Sequence, residues 1–173
     1  NKELLIGNFL NFCLKTPVVL DVETTIINKG NPFTLNNKLI TIQIKTKTNE
    51  LYFTKENFSK CLPYLHNASI IIGSNLKFDL NWLEKELNFK AKSIWDLQIA
   101  EFLFSNQEWT FPDVETMAIK YEVGHKIDTI KHKYWDNDID TDKIPIEELI
   151  EYGINDVNIT YKIFLKQIER FKT

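Results

Sequence analysis

The sequence has few cysteines and no long apolar run. Cys13 and Cys61 are the only cysteines among 173 residues, and they do not form a pair of the metal-binding type. We therefore expect reduced thiols with packing roles rather than a disulfide or a zinc site. No stretch reaches the length of a transmembrane span, and residues 1–10 lack the basic flank and apolar region of a secretion signal. These absences favour a soluble, cytoplasmic protein without a membrane partner.

An excess of positive charge is also missing. Lysine and arginine together number 21 against 24 acidic residues, which gives a formal net charge of −3. This balance argues against the basic surface of proteins that coat duplex DNA. It does not exclude an enzyme that binds a short single strand, because metal ions in an acidic site reverse the local field that phosphates meet.

The composition and the periodicity predict one α/β domain over residues 1–173. Hydrophobic residues make up 43% of the chain, and no internal repeat or linker divides it. Apolar runs predict strands at 18–22, 38–44, 51–53 and 69–73, the first three forming an antiparallel meander. The first run indicates a strand that is buried on both faces. Helical periods predict helices at 1–15, 57–65, 76–87, 97–104, 114–121 and 146–168. Asp96 is predicted as the N-cap of the helix at 97–104.

Two acids end the first predicted strand. Asp21 and Glu23 are two residues apart, so they point to the same side of an extended chain. Like charges at this spacing repel each other unless a proton or a cation lies between them, and a divalent metal ion would relieve the repulsion. The alternative is that Asp21 begins a turn and Glu23 is solvated, and this segment alone does not decide between the two interpretations.

Two distant segments carry further acids. Asp79 falls in the first turns of the helix that follows the strand at 69–73, where the helix dipole favours a carboxylate. In the last helix, Tyr152 and Asp156 are four residues apart and share a face. Separations of 58 residues from Asp21 to Asp79 and 77 from Asp79 to Asp156 exclude a local metal-binding loop. Only the tertiary structure could bring these acids together.

These residues resemble the three motifs of the DEDDy 3′-5′ exonucleases. The segment 21–23 (Asp-Val-Glu) is similar to the first motif, 75–79 (Asn-x-x-Phe-Asp) to the second, and 152–156 (Tyr-x-x-x-Asp) to the third. The resemblance implies a ribonuclease H-like fold, with a mixed central sheet of an antiparallel meander plus parallel strands, flanked by helices. The related families are the proofreading domain of family A DNA polymerases and ribonuclease D. A histidine branch has His five positions before the last Asp, and Glu151 at that position indicates the tyrosine branch.

A second Tyr-x-x-x-Asp pattern competes for the third motif. Tyr134 and Asp138 lie in an acidic segment without helical periodicity, whereas Tyr152 and Asp156 lie on a well-patterned helix. We therefore prefer the later pair.

The resemblance also implies a two-metal-ion mechanism with Mg²⁺ or Mn²⁺. Asp21, Glu23 and Asp156 would hold the ion that carries the attacking water, and Asp21 would also bind the second ion, on which Asp79 acts largely through water. Carboxylates are the hard oxygen ligands that these ions prefer. Tyr152 would orient the water, since a phenol with a reference pKa of about 10 is a positioning group rather than a strong base.

The same resemblance suggests substrate-binding residues. Thr24 would contact the terminal nucleotide, and Asn75 and Phe78 would support the site. The alternatives are structural: a strand-end hydroxyl for Thr24, a helix cap for Asn75 and a core residue for Phe78. Candidate phosphate contacts, each of which could also be an ordinary solvated lysine, are Lys77, Lys126, Lys131 and Lys133.

We therefore expect a metal-dependent enzyme that releases nucleoside monophosphates from the single-stranded or frayed 3′ end of DNA. Segment 124–142 is similar to phage-type and family A-like exonuclease domains, which favours DNA over RNA. Because the sequence ends soon after the third motif, we expect it to act alone or to proofread for a separately encoded polymerase. An alternative is an RNA 3′-end trimming enzyme of the ribonuclease D type. Another is an inactive polymerase-binding or scaffold domain, against which the complete set of acids argues.

Overall fold

One mixed sheet organises the chain, in a computed structural model that describes residues 2–108 and 111–172. The strands are β1 (Pro17–Thr24), β2 (Leu39–Lys45), β3 (Glu50–Thr54), β4 (Ile70–Gly73) and β5 (Ile94–Asp96). Their order across the sheet is β3-β2-β1-β4-β5. The pairs β1–β2 and β2–β3 are antiparallel, whereas β4 is parallel to both β1 and β5. The predicted α/β class, with an antiparallel meander joined to parallel strands, is confirmed.

The predicted helices form with small changes in their bounds. They are α1 (Lys2–Cys13), α2 (Leu62–Asn67), α3 (Leu76–Leu87), α4 (Leu97–Phe104), α5 (Val114–Lys120), α6 (Thr129–Lys133) and α7 (Ile146–Lys172). Short 3₁₀ turns cover Ile27–Gly30, Phe58–Cys61, Trp135–Asn137 and Thr141–Lys143. The short helix α6 and the short strand β5 were not predicted. In the part of the chain that the structure describes, none of the helices combines the length and the apolar character that crossing a membrane requires.

Strand β1 is buried on both faces and separates two apolar cores. Val18, Leu20 and Val22 pack in the core that contains α3, whereas Val19 packs in the core that contains α7. Since side chains alternate along a strand, Asp21 and Glu23 continue the row of Val19 and point to the side of α7. The acids therefore lie at the carboxyl end of β1, below the last helix.

The two cysteines lie in these cores as free thiols. Cys61 is buried beside α3, and Cys13 is buried beside α7. Burial raises the pKa of the Cys61 thiol to about 12, so this side chain stays protonated and unreactive at neutral pH.

Helix α7 approaches the sheet closely at Gly153. A Cβ atom built on Gly153 would lie 2.5 Å from the Cδ atom of Gln43 on β2, a distance that real side chains do not tolerate. The Gln43 side chain is fully buried and has little room to move. Glycine at this position thus lets α7 lie against the sheet and brings Tyr152 and Asp156 towards the end of β1.

Asp96 fixes the start of two helices. Its predicted role as the N-cap of α4 is confirmed, because Oδ1 accepts a hydrogen bond of 2.9 Å from the backbone N–H of Gln98. The same carboxylate accepts bonds from the backbone N–H groups of Leu76 at 2.8 Å and Asn75 at 3.3 Å. Asn75 occupies the cap position of α3 in a left-handed conformation, with φ of 57°, and its side chain makes no capping bond. Asp96 therefore performs the capping at α3 and sets the position of Asp79 one turn later.

Candidate active site

Three carboxylates from two distant elements meet at the end of β1. One oxygen from each of Asp21, Glu23 and Asp156 lies within 4.8 Å of the others, a grouping that could hold a metal ion. Strand β1 supplies the first two side chains, and α7 supplies the third. Asp21 and Asp156, which are 135 residues apart in the sequence, are thus neighbours in the fold.

Asp79 lies beside this group and forms a hydrogen bond with the backbone of β1. Its Oδ1 atom accepts a hydrogen bond of 3.0 Å from the N–H of Val22, the residue between Asp21 and Glu23. The Asp79 side chain is buried, and its charge repels that of Asp21. Asp79 therefore adds a fourth negative group next to the other three, although it is not one of the closely grouped ligand atoms.

Burial and mutual repulsion disfavour the ionised forms of these acids. Burial, followed by the charge of Asp156, raises the pKa of Asp21 from 3.8 to about 7. Burial and the charge of Asp21 raise the pKa values of Glu23 and Asp79 well above their usual range. Burial also raises the pKa of Asp156, although the neighbouring ammonium of Lys126 opposes this shift. Near neutral pH the group must hold protons or attract cations.

Two oxygens in the carboxylate group have no hydrogen-bond partner. Among the buried side-chain oxygens of residues 2–108 and 111–172, Oδ2 of Asp21 and Oδ1 of Asp156 make no such bond. A buried oxygen without a hydrogen-bond partner lowers the stability of the fold unless a ligand binds to it. Because all the donors are carboxylates, the set suits the hard cations Mg²⁺ and Mn²⁺ better than softer metals.

Lys126 is a member of the site whose ion pair the sequence did not predict. Its Nζ atom lies 2.7 Å from Oδ2 of Asp156 and donates a hydrogen bond of 3.3 Å to the hydroxyl of Tyr152. The charge of the Asp156 carboxylate also acts on the Tyr152 hydroxyl. Burial and the neighbouring acids raise the pKa of Tyr152 above its usual value, so the phenol keeps its proton. Tyr152 can therefore position a ligand by hydrogen bonding but cannot act as an ionised base.

A cavity of about 260 Å³ opens next to Glu23. Thr24 and Phe78, two of the residues that the resemblance suggested for substrate contact, line this cavity, whereas the third, Asn75, does not. Its wall also includes Lys29, Gly30 and Trp135, which no sequence motif indicated. Phe78 and Trp135 thus give the cavity aromatic surface, on which a nucleobase could stack.

Gly30 is part of the cavity wall and packs closely against Thr24 and Phe78. Its φ of +71° lies in the left-handed region, and a Cβ atom there would lie 2.6 Å from Oγ1 of Thr24 and 3.0 Å from Cζ of Phe78. The indole N–H of Trp82 donates a 2.9 Å hydrogen bond to the Gly30 carbonyl and holds the turn in place. The wall is therefore supported from α3.

The competing pair, Tyr134 and Asp138, lies outside the group of carboxylates. The Tyr134 hydroxyl donates a hydrogen bond of 3.0 Å to Oε1 of Glu148, an acid that Lys133 also contacts at 2.8 Å. Asp138 is exposed and ends a 3₁₀ turn with φ of 58°. Of the two patterns, the one that contains Tyr152 and Asp156 thus supplies the acid that groups with Asp21 and Glu23.

The sheet order and the acids at the end of β1 define a ribonuclease H-like fold, and comparisons with solved structures agree. RNase D from Escherichia coli is 17% identical, with a TM-score of 0.67, over 98% of this chain and 42% of that one. The EXO domain of Nibbler from Aedes aegypti is 12% identical, with a TM-score of 0.65, over 96% and 84% of the two chains. The catalytic core of an RRP6 mutant from Trypanosoma brucei is 15% identical, with a TM-score of 0.64, over 98% and 44%.

The sequence comparison identifies the family. A family model named for the exonuclease of DNA polymerase A, and described as 3′-5′ exonuclease, matches residues 5–169. The chain therefore belongs to this 3′-5′ exonuclease family, of the DEDDy type. A comparison with curated protein sequences gives no match. The chain spans less than half the length of the RNase D and RRP6 structures.

Proposed function

We propose that the chain is a single exonuclease domain, residues 1–173, that hydrolyses the phosphodiester bond at the 3′ end of a single-stranded nucleic acid. The observation that carries the proposal is the group of Asp21, Glu23 and Asp156, with two buried oxygens that lack partners. Divalent ions bound at such a group stabilise the charges of the attacking and leaving oxygens in phosphodiester hydrolysis. The adjoining cavity offers a place for the terminal nucleotide.

Each acid has a role that follows from its position. Asp21, Glu23 and Asp156 would hold one ion, because their oxygens converge within 4.8 Å. Asp21 and Asp79 would hold a second, since the charges of these two acids repel each other and a hydrogen bond from the Val22 N–H fixes Asp79 beside β1. The raised pKa values support this assignment, because a divalent cation lowers the cost of keeping these acids ionised together.

Tyr152 would position the attacking water in this scheme. The phenol keeps its proton. Its hydroxyl accepts a hydrogen bond from the Lys126 ammonium, which is also paired with the Asp156 carboxylate. A protonated hydroxyl held in this way can orient a water molecule by a hydrogen bond. The proton of the water would then pass to solvent or to a carboxylate. The Tyr152 phenol cannot accept it, because the phenol is already protonated.

The cavity beside Glu23 would bind the terminal nucleotide. Phe78 and Trp135 offer aromatic surface for stacking on the base, and Thr24 offers a hydroxyl at the end of β1. Stacking of this kind tolerates any base, which suits an enzyme that removes successive nucleotides. Asn75 would contribute indirectly, through the start of α3 that its backbone forms.

DNA is the first candidate substrate and RNA is the second. The family model named for DNA polymerase A supports DNA, and with it a role in proofreading. The similar fold of E. coli RNase D, an exoribonuclease involved in structured RNA processing, supports RNA. Both substrates require the same chemistry at the carboxylates.

The test uses 5′-labelled DNA and RNA strands of one sequence, incubated with the protein and Mn²⁺. We expect a ladder of products shortened from the 3′ end, and no products when the 3′ end is blocked. Asp156→Asn should remove the activity, and Asp138→Asn, which changes the competing Tyr-x-x-x-Asp pattern, should retain it. A higher rate on DNA supports proofreading, and a higher rate on RNA supports RNA trimming. Shortening of neither strand would favour an inactive scaffold domain.

A further inference from the structure

The ammonium group of Lys126 lies against the carboxylates of the proposed metal site. Besides its 2.7 Å ion pair with Asp156, it lies 5.4 Å from the ring centroid of Tyr152. The attraction of its charge extends to Asp21 and Glu23. The side chain of Lys126 is only 21% exposed, which is low for a lysine. A cation that belongs to the protein thus already neutralises part of this negative site.

The fold holds Lys126 in this position from two elements. Its backbone N–H donates a hydrogen bond of 2.7 Å to Oε2 of Glu115 on α5, whose other oxygen bonds to Nδ1 of His125 at 2.8 Å. The N–H of Ile127 donates a bond of 3.2 Å to Oδ1 of Asn155, the residue before Asp156 on α7. The segment that carries the ammonium is therefore attached to the same helix that carries its carboxylate partner.

Lys126 and a bound metal ion would share one carboxylate. Oδ2 of Asp156 is paired with Lys126, while Oδ1 of Asp156 and Oδ2 of Asp21 have no partner and could serve as metal ligands. A divalent cation on these oxygens would stand close to the ammonium group. The two positive charges would repel each other in a buried place where solvent screens them weakly.

We propose that Lys126 is an internal counter-ion of the carboxylate group, which stabilises the metal-free site and lowers its affinity for divalent cations. The inference rests on the proposed function, because it takes these carboxylates to be the metal ligands. Lys126 acts through Asp156 and Tyr152 and is a positioning residue. Its charge sets the metal concentration at which the site fills.

The test measures Mn²⁺ binding by titration calorimetry, without nucleic acid, for the wild type and for Lys126→Met. We expect the variant to bind Mn²⁺ at least about tenfold more tightly, because the competing charge is gone. Lys131→Met is the matched control, since it removes the same charge from an exposed position on α6, and it should stay within about twofold of the wild type. In EDTA, Lys126→Met should melt at a lower temperature than the wild type, and Mn²⁺ should raise its melting temperature by more.

Equal or weaker Mn²⁺ binding by Lys126→Met would overturn the inference, even if the variant melts at a lower temperature, because a purely structural role also lowers stability. If Lys126→Met does not fold, Lys126→Gln serves in the same comparison, because its amide can still donate hydrogen bonds without the charge. If the wild type binds Mn²⁺ and neither Lys126→Met nor Lys126→Gln binds it more tightly, this inference alone is overturned. Failure of the wild type to bind Mn²⁺ would overturn the proposed function as well.

Discussion

Replacing Asp21 by asparagine should stabilise the metal-free protein while removing its activity. Burial and the charge of Asp156 raise the pKa of Asp21 from 3.8 to about 7. At about 1.4 kcal/mol per pH unit, this shift costs up to about 4 kcal/mol of folding free energy when the carboxylate is ionised.

The effect should depend on pH with a definite sign. Between about pH 4 and pH 7 the folded protein keeps a proton on Asp21 that the unfolded chain has released. The free energy of unfolding of the wild type therefore falls as pH rises through this window. Asp21→Asn removes the contribution, so its advantage over the wild type should grow from about 2 kcal/mol at pH 5 to about 4 kcal/mol at pH 8.

Urea unfolding in EDTA at the two pH values measures this difference directly. Asp138→Asn is the control, because Asp138 is exposed and lies outside the carboxylate group. It should match the wild type at both pH values. Mn²⁺ should then stabilise the wild type more than Asp21→Asn, because the variant has lost a ligand. If Asp21→Asn is less stable than the wild type in EDTA at pH 8, the electrostatic reasoning is refuted.

Three further variants test the site and its support. Tyr152→Phe should lower turnover by about 100-fold, and Tyr134→Phe should leave it within about twofold; equal effects would contradict the choice of motif. Gly153→Ala should cost about 1–3 kcal/mol in urea unfolding, because its methyl group meets the buried Gln43 side chain, and Gln43→Ala should restore part of the loss. No rescue would show that the contact is not the cause. Trp135→Ala should raise KM about tenfold with little change in kcat, and an unchanged KM would exclude stacking on this ring.

Local patterns in the sequence predicted the elements that carry the acids. The apolar run before Asp21 predicted a strand buried on both faces, and alternation along the strand put Asp21 and Glu23 on one side. The helical period of the last segment predicted α7 and a common face for Tyr152 and Asp156. These features follow from the geometry of a single strand or helix, so they can be read without knowledge of the tertiary structure.

The parts of the site that were missed depend on contacts between distant segments. Lys126 was a candidate phosphate contact, but its ion pair with Asp156 was not predicted, and Trp135 was not predicted at all. Both residues lie in short turns and loops without periodicity, and no local pattern predicts where their side chains point. Hydrogen bonds to Glu115 and Asn155 set the position of Lys126. Asp96 was predicted as the cap of one helix, but its second role at the start of α3 depends on the pairing of β4 with β5.

Release of a labelled 3′-terminal nucleotide reports metal-dependent hydrolysis at the 3′ end. The wild type and Asp156→Asn are incubated with 3′-labelled single-stranded DNA or RNA, in Mn²⁺ and in EDTA. We predict that the wild type releases labelled mononucleotide in Mn²⁺ and none in EDTA, and that Asp156→Asn releases none in either. Release from neither nucleic acid, or equal release by Asp156→Asn, would contradict the claim that these carboxylates form a metal-dependent 3′-5′ exonuclease site.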